Sequence, residues 1–576
     1  MFVPPRNKYH PAPPIPMEGR QWPNRVVTQA PRWCSIDLRD GNQALAIPMN
    51  PELKARMFKQ LVAMGFSEIE AGFPAASKDD YEFVRSLAGL TPESVAIQVL
   101  TTAREEHIRR TVAAVTGIPR VILHFYISTS PIQRRLVFGV DQPTLIERAV
   151  AAARLILSLT REQPETQWTL QFSPESFSAT ESEFALAICE AVAETWQPSR
   201  ENKVIFNLPQ TVELAAPNRY ADQIEWFSSH FSQRDAIIVS IHPHNDRGCG
   251  VAAAELALLA GADRVEGALF GNGERTGNLD LVTLALNLQS QGIETGLDFS
   301  DIARVVDCYQ QCTGMEIPPR HPYAGSLVFT AFSGSHQDAI RKGLAHWKPG
   351  TPWEVPYLPI DPRDIGRDFS GIIRVNSQSG KGGTSYLLQR QLGIRLPKWL
   401  EPALAREVQR LSDQRGTEVS GTEIATLFAQ TFMRTAGRIA IHGYRMTQEG
   451  DRCQMTVEIK IDGLTKVLSG YGNGPINAVF QALPGPWRLL HYEERAMETG
   501  SDARAIAFIS LTNPDSDLHD WAGVGIHEDI VTASLQALGA AIDHYLTSLP
   551  DADWRTVTQS WLVDQPGPSL GHDLRR

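Results

Sequence analysis

The chain has 576 residues, enough for roughly three to four ordinary domains, or fewer where one is a large barrel, and too many for a single small module. With 42% hydrophobic and 21% charged residues it can bury several cores and lacks the low-hydrophobicity, high-charge signature of disorder. Lys+Arg 54 against Asp+Glu 65 leaves a net charge of −11, and no basic stripe with interleaved aromatics occurs, so neither nucleic acid nor a membrane surface is an expected partner.

Residues 1–30 form a Pro-rich arm whose prolines interrupt any apolar core, and no run of about 18 apolar residues follows, so neither a signal peptide nor a transmembrane helix is expected. The six cysteines are scattered (Cys34, Cys189, Cys249, Cys308, Cys312, Cys453) and fit free thiols in a reducing compartment; the expected location is cytoplasmic. Cys308 and Cys312 are one helical turn apart, but no second Cys/His pair accompanies them, and core packing is preferred over metal ligation.

Short β-branched runs then alternate with amphipathic stretches. Strands are expected over 33–38, 68–73, 95–100, 120–127, 169–172, 204–208, 236–241 and 264–270, with helices such as 51–64, 79–87, 145–159 and 251–259 between them. Eight βα units over about 260 residues match a (β/α)8 TIM barrel. A doubly wound sheet would carry a Gly-rich turn after its first strand; Asp37-Leu38-Arg39-Asp40-Gly41-Asn42-Gln43 stands there instead.

Beyond the barrel, 325–344 reads as helical and the Pro-rich 348–362 as a linker. Gly380-Lys381-Gly382-Gly383 resembles a phosphate loop only superficially, since Lys381 is not followed by Ser or Thr and the earlier glycine is missing. Helices are expected over 398–411 and 421–431. From about Gly437 there is an internal echo: strand-like runs lead to Gly470-Tyr471-Gly472 and a helix, and Gly523-Val524-Gly525 precedes another, predicting two βββα halves of an α+β domain. Each Gly-x-Gly is either a tight strand-to-helix turn or part of a helix N-terminal site for a carboxylate ligand, and the residues alone leave both open.

The most specific chemical signal is His242-Pro243-His244-Asn245-Asp246 at the end of the seventh strand. Side chains at i and i+2 of a strand share one face, so the two imidazoles form a chelate at the barrel end where active sites gather. Asp40, at the corresponding end of strand one, would supply a carboxylate, and two His with one Asp leave coordination positions open for Lewis-acid catalysis. Strand five ends at Glu175, strand six at Thr211, and strand eight runs into Gly271-Asn272-Gly273-Glu274-Arg275-Thr276-Gly277-Asn278, a loop more elaborate than a βα connection needs.

Taken together, Asp37–Gln43, Glu68-Ile69-Glu70-Ala71-Gly72-Phe73-Pro74, the His242–Asp246 segment and the Gly271–Asn278 loop resemble the signatures of the Claisen-condensing pyruvate-carboxyltransferase-like barrels, and within them the 2-isopropylmalate synthase family. The resemblance covers nearly the whole chain. It implies an arm over 1–30, a catalytic barrel over 31–320, linker subdomains completing the active site over 321–432 and a leucine-binding regulatory domain over 433–576. It further implies a homodimeric acyltransferase that joins acetyl-CoA to 3-methyl-2-oxobutanoate in leucine biosynthesis and is feedback-inhibited by leucine. A divalent metal (Mg, Mn or Zn) would sit on Asp40, His242, His244 and Asn278, with a monovalent cation as activator. Arg39 would stabilise developing charge and contact substrate, Glu175 and His336 would serve as bases, His336 arriving from the other subunit, and His124, Ser128 and Thr211 would line the 2-oxo acid pocket. Leucine would lie against Gly470, Gly472, Ala478, Gly523, Gly525 and Ala533. One departure is Phe369, where many relatives carry tyrosine, so no catalytic role is carried onto it. Citramalate synthase, homocitrate synthase and hydroxymethylglutaryl-CoA lyase share the barrel motifs, and a catalytically silent leucine sensor is the rival from another class, although the metal ligands it would have lost are present.

Overall fold

The computed structural model describes residues 12–367, 381–415, 417–434, 437–461, 463–485, 487–498, 500, 502–512, 520–550, 558 and 561. Phe369 and Gly380 lie outside them. Two compact units divide the chain, residues 1–329 with 359–368 and residues 330–358 with 369–576.

The first unit is a closed barrel of eight parallel strands in sequence order: β1 (Arg32–Ser35), β2 (Glu68–Gly72), β3 (Ala96–Thr102), β4 (Arg120–Ser128), β5 (Gln167–Glu175), β6 (Val204–Gln210), β7 (Ile237–Pro243) and β8 (Arg264–Gly267), with β8 pairing back onto β1. All eight expected strands are present. Helices Pro51–Ala63, Lys78–Ser86, Gln142–Arg161 and Gly250–Leu259 lie between them, near their expected bounds. Proline at the start of the first and an Asn50 side chain capping the Leu53 amide at 2.9 Å fix where that helix begins. Arg20 and Trp22 of the N-terminal arm both reach the buried carboxylate of Asp222, at 2.5 Å and 2.8 Å, which ties the arm to the barrel's outer helices.

Two expected bounds are corrected at the catalytic end. The first strand stops at Ser35 rather than residue 38, because Asp37–Gly41 winds into a π-turn closed by the Gly41 amide on Ile36 O at 3.1 Å. The eighth stops at Gly267, where a side chain would collide with Leu279 O at 2.7 Å. Cys308 and Cys312 are buried on helix Ile302–Thr313, where the Cys312 thiol points at Leu53 O (3.6 Å), in keeping with a packing role.

The expected helix over 325–344 is shorter. Only Gly334–His346 is helical; before it the carbonyls of Ala324 and Gly325 are taken by the Arg367 guanidinium instead of a helix ladder, and a Cβ on Gly325 would meet Pro319 O at 2.4 Å.

In the second unit, helices Lys381–Leu392, Glu401–Arg415 and Gly421–Phe428 follow, the last opened by a Ser420–Glu423 capping box and prolonged by a π-turn to Met433. Then β9 (Ile439–Glu449), β10 (Arg452–Ile461) and β11 (Leu464–Gly472) lead to helix Pro475–Ala482, and β12 (Arg488–Ala496), β13 (Ala505–Thr512) and β14 (Trp521–His527) to helix Ile530–Ser548: the two βββα halves. One core, including Met455, Val457, Ile509, Leu538 and Ile542, joins both halves. The opposite face of β13 and β14, with Phe508 and Val524, is covered by Leu388, Leu404 and Phe428 of the preceding helices.

The Gly-x-Gly pairs are not turns. Gly470, Gly472, Gly523 and Gly525 lie on strands, and a Cβ on each would meet a backbone atom of the helix above at 2.0–2.5 Å. Only glycine allows the helix to approach that closely.

Candidate active site

The π-turn after β1 sets the first functional group. Asp37 is buried, accepts the Ser35 hydroxyl at 2.7 Å and the Leu269 amide at 3.1 Å, and is pushed up to about 6 by burial. With Asp37 tied down, the turn delivers Arg39 and Asp40 to the barrel mouth. The Arg39 guanidinium lies between two carboxylates, 2.5 Å from Asp40 Oδ1 and 2.6 Å from Glu70 Oε2 at the end of β2.

Asp40, His242 and His244, all buried, place one ligand atom each within 4.8 Å of one another, the one such group of His, Cys, Asp or Glu among the described residues. The two imidazoles stack with centroids 5.2 Å apart and planes 10° from parallel. Asn278 joins them: its amide donates to Asp40 Oδ2 at 2.8 Å, and its Oδ1 lies 3.0 Å from His242 Nε2. The Gly-rich loop exists to hold that side chain. A Cβ on Gly273 would fall 2.2 Å from Asn278 Nδ2, and Gly277 takes a left-handed φ of 101° where a Cβ would strike Gly271 O.

Burial opposes the charge on every member of the group, but the pairings decide its state. Arg39 and the two histidines hold the Asp40 carboxyl far below the usual range; Asp40 and Glu266 outweigh burial and raise His242 to about 10; burial and the charge of His242 depress His244 to about 3. His244 Nδ1 is buried with no hydrogen-bond partner, a deficit of about 1–3 kcal/mol unless something binds there. A neutral imidazole with an unsatisfied nitrogen beside a carboxylate, a second imidazole and an amide oxygen is a donor set that suits a divalent ion.

Other expected residues cluster at the same mouth. Glu175 ends β5, paired in register with Ser128 of β4, and the Ser128 hydroxyl donates to its carboxylate. Burial, then the charge of Glu175, raises the Tyr126 phenol, which lies two residues before Ser128 on β4. Thr211 follows β6, but its hydroxyl accepts the Ser176 amide at 2.9 Å, where Ser176 adopts a left-handed φ of 63°. Thr211 thus holds the Glu175 loop in place. His124 is buried deeper, with Nδ1 3.0 Å from Glu70 Oε1 and Nε2 2.7 Å from Ser173 Oγ, so both nitrogens are engaged by the barrel interior.

That interior is what the sequence reading missed. Glu70, Gln98, Arg264 and Glu266 are each fully buried and hydrogen-bonded to one another, where barrels of this kind commonly pack branched apolar side chains. The available signal was Glu68-Ile69-Glu70 on β2 and Arg264-Val265-Glu266 on β8: charges at i, i+2 in a strand share a face, and on a barrel strand that face is the inside.

His336 and the six glycine and alanine positions lie in the second unit. His336 is exposed near the start of helix Gly334–His346 with its ring stacked on Tyr357, centroids 4.0 Å apart. Ala478, on helix Pro475–Ala482, and Ala533, on helix Ile530–Ser548, are fully buried, with their backbone atoms against the glycines of the strands. No helix among the described residues is long and apolar enough to cross a membrane.

Three family models match in succession: HMGL-like over residues 30–308, the alpha-isopropylmalate synthase post-catalytic domain over 326–389, and the LeuA allosteric (dimerisation) domain over 418–546. Among similar curated proteins, the 2-isopropylmalate synthase of Ralstonia pickettii (strain 12J) is 52% identical over 553 residues, 95% of this chain and 97% of that protein. That of Ralstonia nicotianae is 53% identical over 100% of this chain and 98% of its own length, and that of Parvibaculum lavamentivorans 50% identical over 96% and 99%. Matched from end to end at this level, and carrying the ligand group at the mouth of an eight-stranded barrel, the chain belongs to the 2-isopropylmalate synthase family.

Proposed function

We propose that this chain condenses acetyl-CoA with 3-methyl-2-oxobutanoate and hydrolyses the thioester, consuming one water and releasing (2S)-2-isopropylmalate and CoA, under inhibition by leucine. The observation that carries this reading is the Asp40, His242, His244 and Asn278 cluster beside Arg39, at the end of a barrel whose relatives bear that name. These four residues would hold a divalent cation, whose chemistry is to bind the 2-oxo acid and polarise its keto carbonyl, worth several kcal/mol at the transition state.

The chain's own groups account for the rest. Arg39, fixed between Asp40 and Glu70, keeps a guanidinium beside the carbonyl oxygen on which charge grows, and its two partners prevent it from turning away. Glu175 is half-buried at the rim, its orientation set by Ser128, and takes a proton from the thioester methyl; the new C–C bond then forms between that carbon and the keto carbon. His336, from the partner subunit of a homodimer, would assist in moving protons during condensation or hydrolysis. The LeuA match supports oligomerisation and a small-molecule effector, with leucine lying against Gly470, Gly472, Ala478, Gly523, Gly525 and Ala533.

The test is CoA release from acetyl-CoA with 3-methyl-2-oxobutanoate, pyruvate and 2-oxoglutarate in parallel, with and without EDTA, beside a His242→Ala control. The branched acid should react fastest, with activity lost in EDTA and in the variant. Preference for pyruvate moves the reading to a citramalate synthase; no CoA release with any acid despite added metal refutes it.

A further inference from the structure

Five residues, Arg39 of the π-turn and one each from β2, β3, β7 and β8, form an unbroken chain between the two groups assigned to opposite tasks. Arg39, which faces the developing charge, bonds Glu70 Oε2 at 2.6 Å; Glu70 Oε1 accepts the Gln98 amide at 3.0 Å; the same amide reaches Glu266 Oε1 at 3.0 Å; and Glu266 Oε2 lies 3.0 Å from His242 Nδ1. Glu70, Gln98 and Glu266 are completely buried. The whole is anchored by Arg264, likewise without exposure, which bonds Glu266 Oε1 at 2.7 Å and Gln98 Oε1 at 2.8 Å.

Each link has a directional consequence. A carboxylate at Nδ1 requires that nitrogen to carry the proton, which leaves Nε2, the nitrogen facing Asn278 and Asp40, as the one that can ligate. Gln98 donates to both carboxylates and accepts from Arg264, so its orientation is fixed: a flipped amide would set its oxygen against two carboxylates and its NH2 against a guanidinium. Neither Glu70 nor Glu266 can shift without breaking a bond to the same amide.

Resting on the proposed reaction at this site, we propose that Glu266 and Gln98 are positioning residues, forming one clamp that aligns His242 for the metal and Arg39 for the developing negative charge together. Neither touches substrate. The coupling passes through Gln98, so a change there is felt at both ends, whereas a change at Glu266 is felt chiefly at the metal.

The experiment titrates Mn2+ into the full-length protein and measures kcat and KM at saturating Mn2+ for wild type, Glu266→Gln and Gln98→Met. Gln98→Met exchanges one neutral side chain for another of similar length and unpairs no ion pair, so it remains informative if Glu266→Gln fails to fold. Circular dichroism and the thermal midpoint monitor the fold. Glu266→Gln is expected to weaken Mn2+ about ten- to a hundredfold. Gln98→Met should weaken it about tenfold and also lower kcat by a comparable factor that saturating Mn2+ does not restore, because Glu70, which orients Arg39, loses its bond to the Gln98 amide as well. Folded variants that bind Mn2+ as the wild type does overturn the clamp while leaving the proposed reaction intact. A Gln98→Met kcat fully restored by metal overturns the coupling of the two ends. A wild type that binds no Mn2+ and releases no CoA refutes the reaction itself, and the clamp with it.

Discussion

The hydroxyl of Ser128, last residue of β4, donates to the carboxylate of Glu175, last residue of β5, directly across a parallel register. This bond fixes one oxygen of Glu175 and leaves the other for the proposed proton transfer. Glu175→Gln keeps an acceptor for Ser128 but cannot take a proton. We expect kcat to fall about 10²–10⁴-fold with Mn2+ affinity unchanged, as read by steady-state kinetics beside a metal titration; a parallel loss of metal affinity would place Glu175 in the metal site instead.

Metal affinity should rise with pH. In the metal-free protein Asp40 and Glu266 hold His242 up at about 10, so it carries a proton at neutral pH that a ligated imidazole must give up, whereas His244, held at about 3, is already neutral. One proton released per ion bound gives an affinity increase of about tenfold per pH unit below 10, flattening above it. Isothermal titration of Mn2+ between pH 6 and 8 in buffers of different ionisation enthalpy counts that proton; a pH-independent affinity contradicts the assigned state of His242.

Gly273→Ala should act on the metal through Asn278. The added methyl would stand 2.2 Å from Asn278 Nδ2 and 2.9 Å from its backbone nitrogen, and that backbone is held by Gly271 O at 3.0 Å, so the amide must leave its place between Asp40 and His242. The expectation is weaker Mn2+ binding, by about tenfold or more, with an unchanged circular dichroism spectrum.

Gly523→Ala should loosen the second βββα half. Its Cβ would fall 2.1 Å from Ala537 O and 2.3 Å from Ala541 N, both backbone atoms of helix Ile530–Ser548, which can yield only by lifting from β14. Overpacking of this kind costs about 1–3 kcal/mol. Calorimetry should record a lower unfolding midpoint, and leucine should inhibit at higher concentration; an unchanged midpoint would mean that the helix has room the packing denies.

The barrel was legible because its signals are local and repeated: β-branched runs of strand length, spaced by amphipathic helices, recur eight times, and period-two alternation carries His242 and His244 to one side. The internal echo of the C-terminal region announced the two βββα halves in the same way. Sequence also delivered Asp40 and the Gly271–Asn278 loop, since chemistry-bearing residues at the ends of barrel strands must face one rim.

Tertiary structure alone decided the rest. That Asp37 would wind the chain into a π-turn depends on the amide of Leu269, some 230 residues away in sequence. The Gly-x-Gly pairs have ordinary strand backbones, and their reason is a helix laid directly on them, a contact that no local propensity encodes. The buried charges of Glu70, Arg264 and Glu266 read as mere polar interruptions of β-strands until the sheet closes on itself. Closure brings the strands round one axis, where charges costly in isolation become each other's partners; sequence sets which groups face inward, and the closed geometry sets which of them meet.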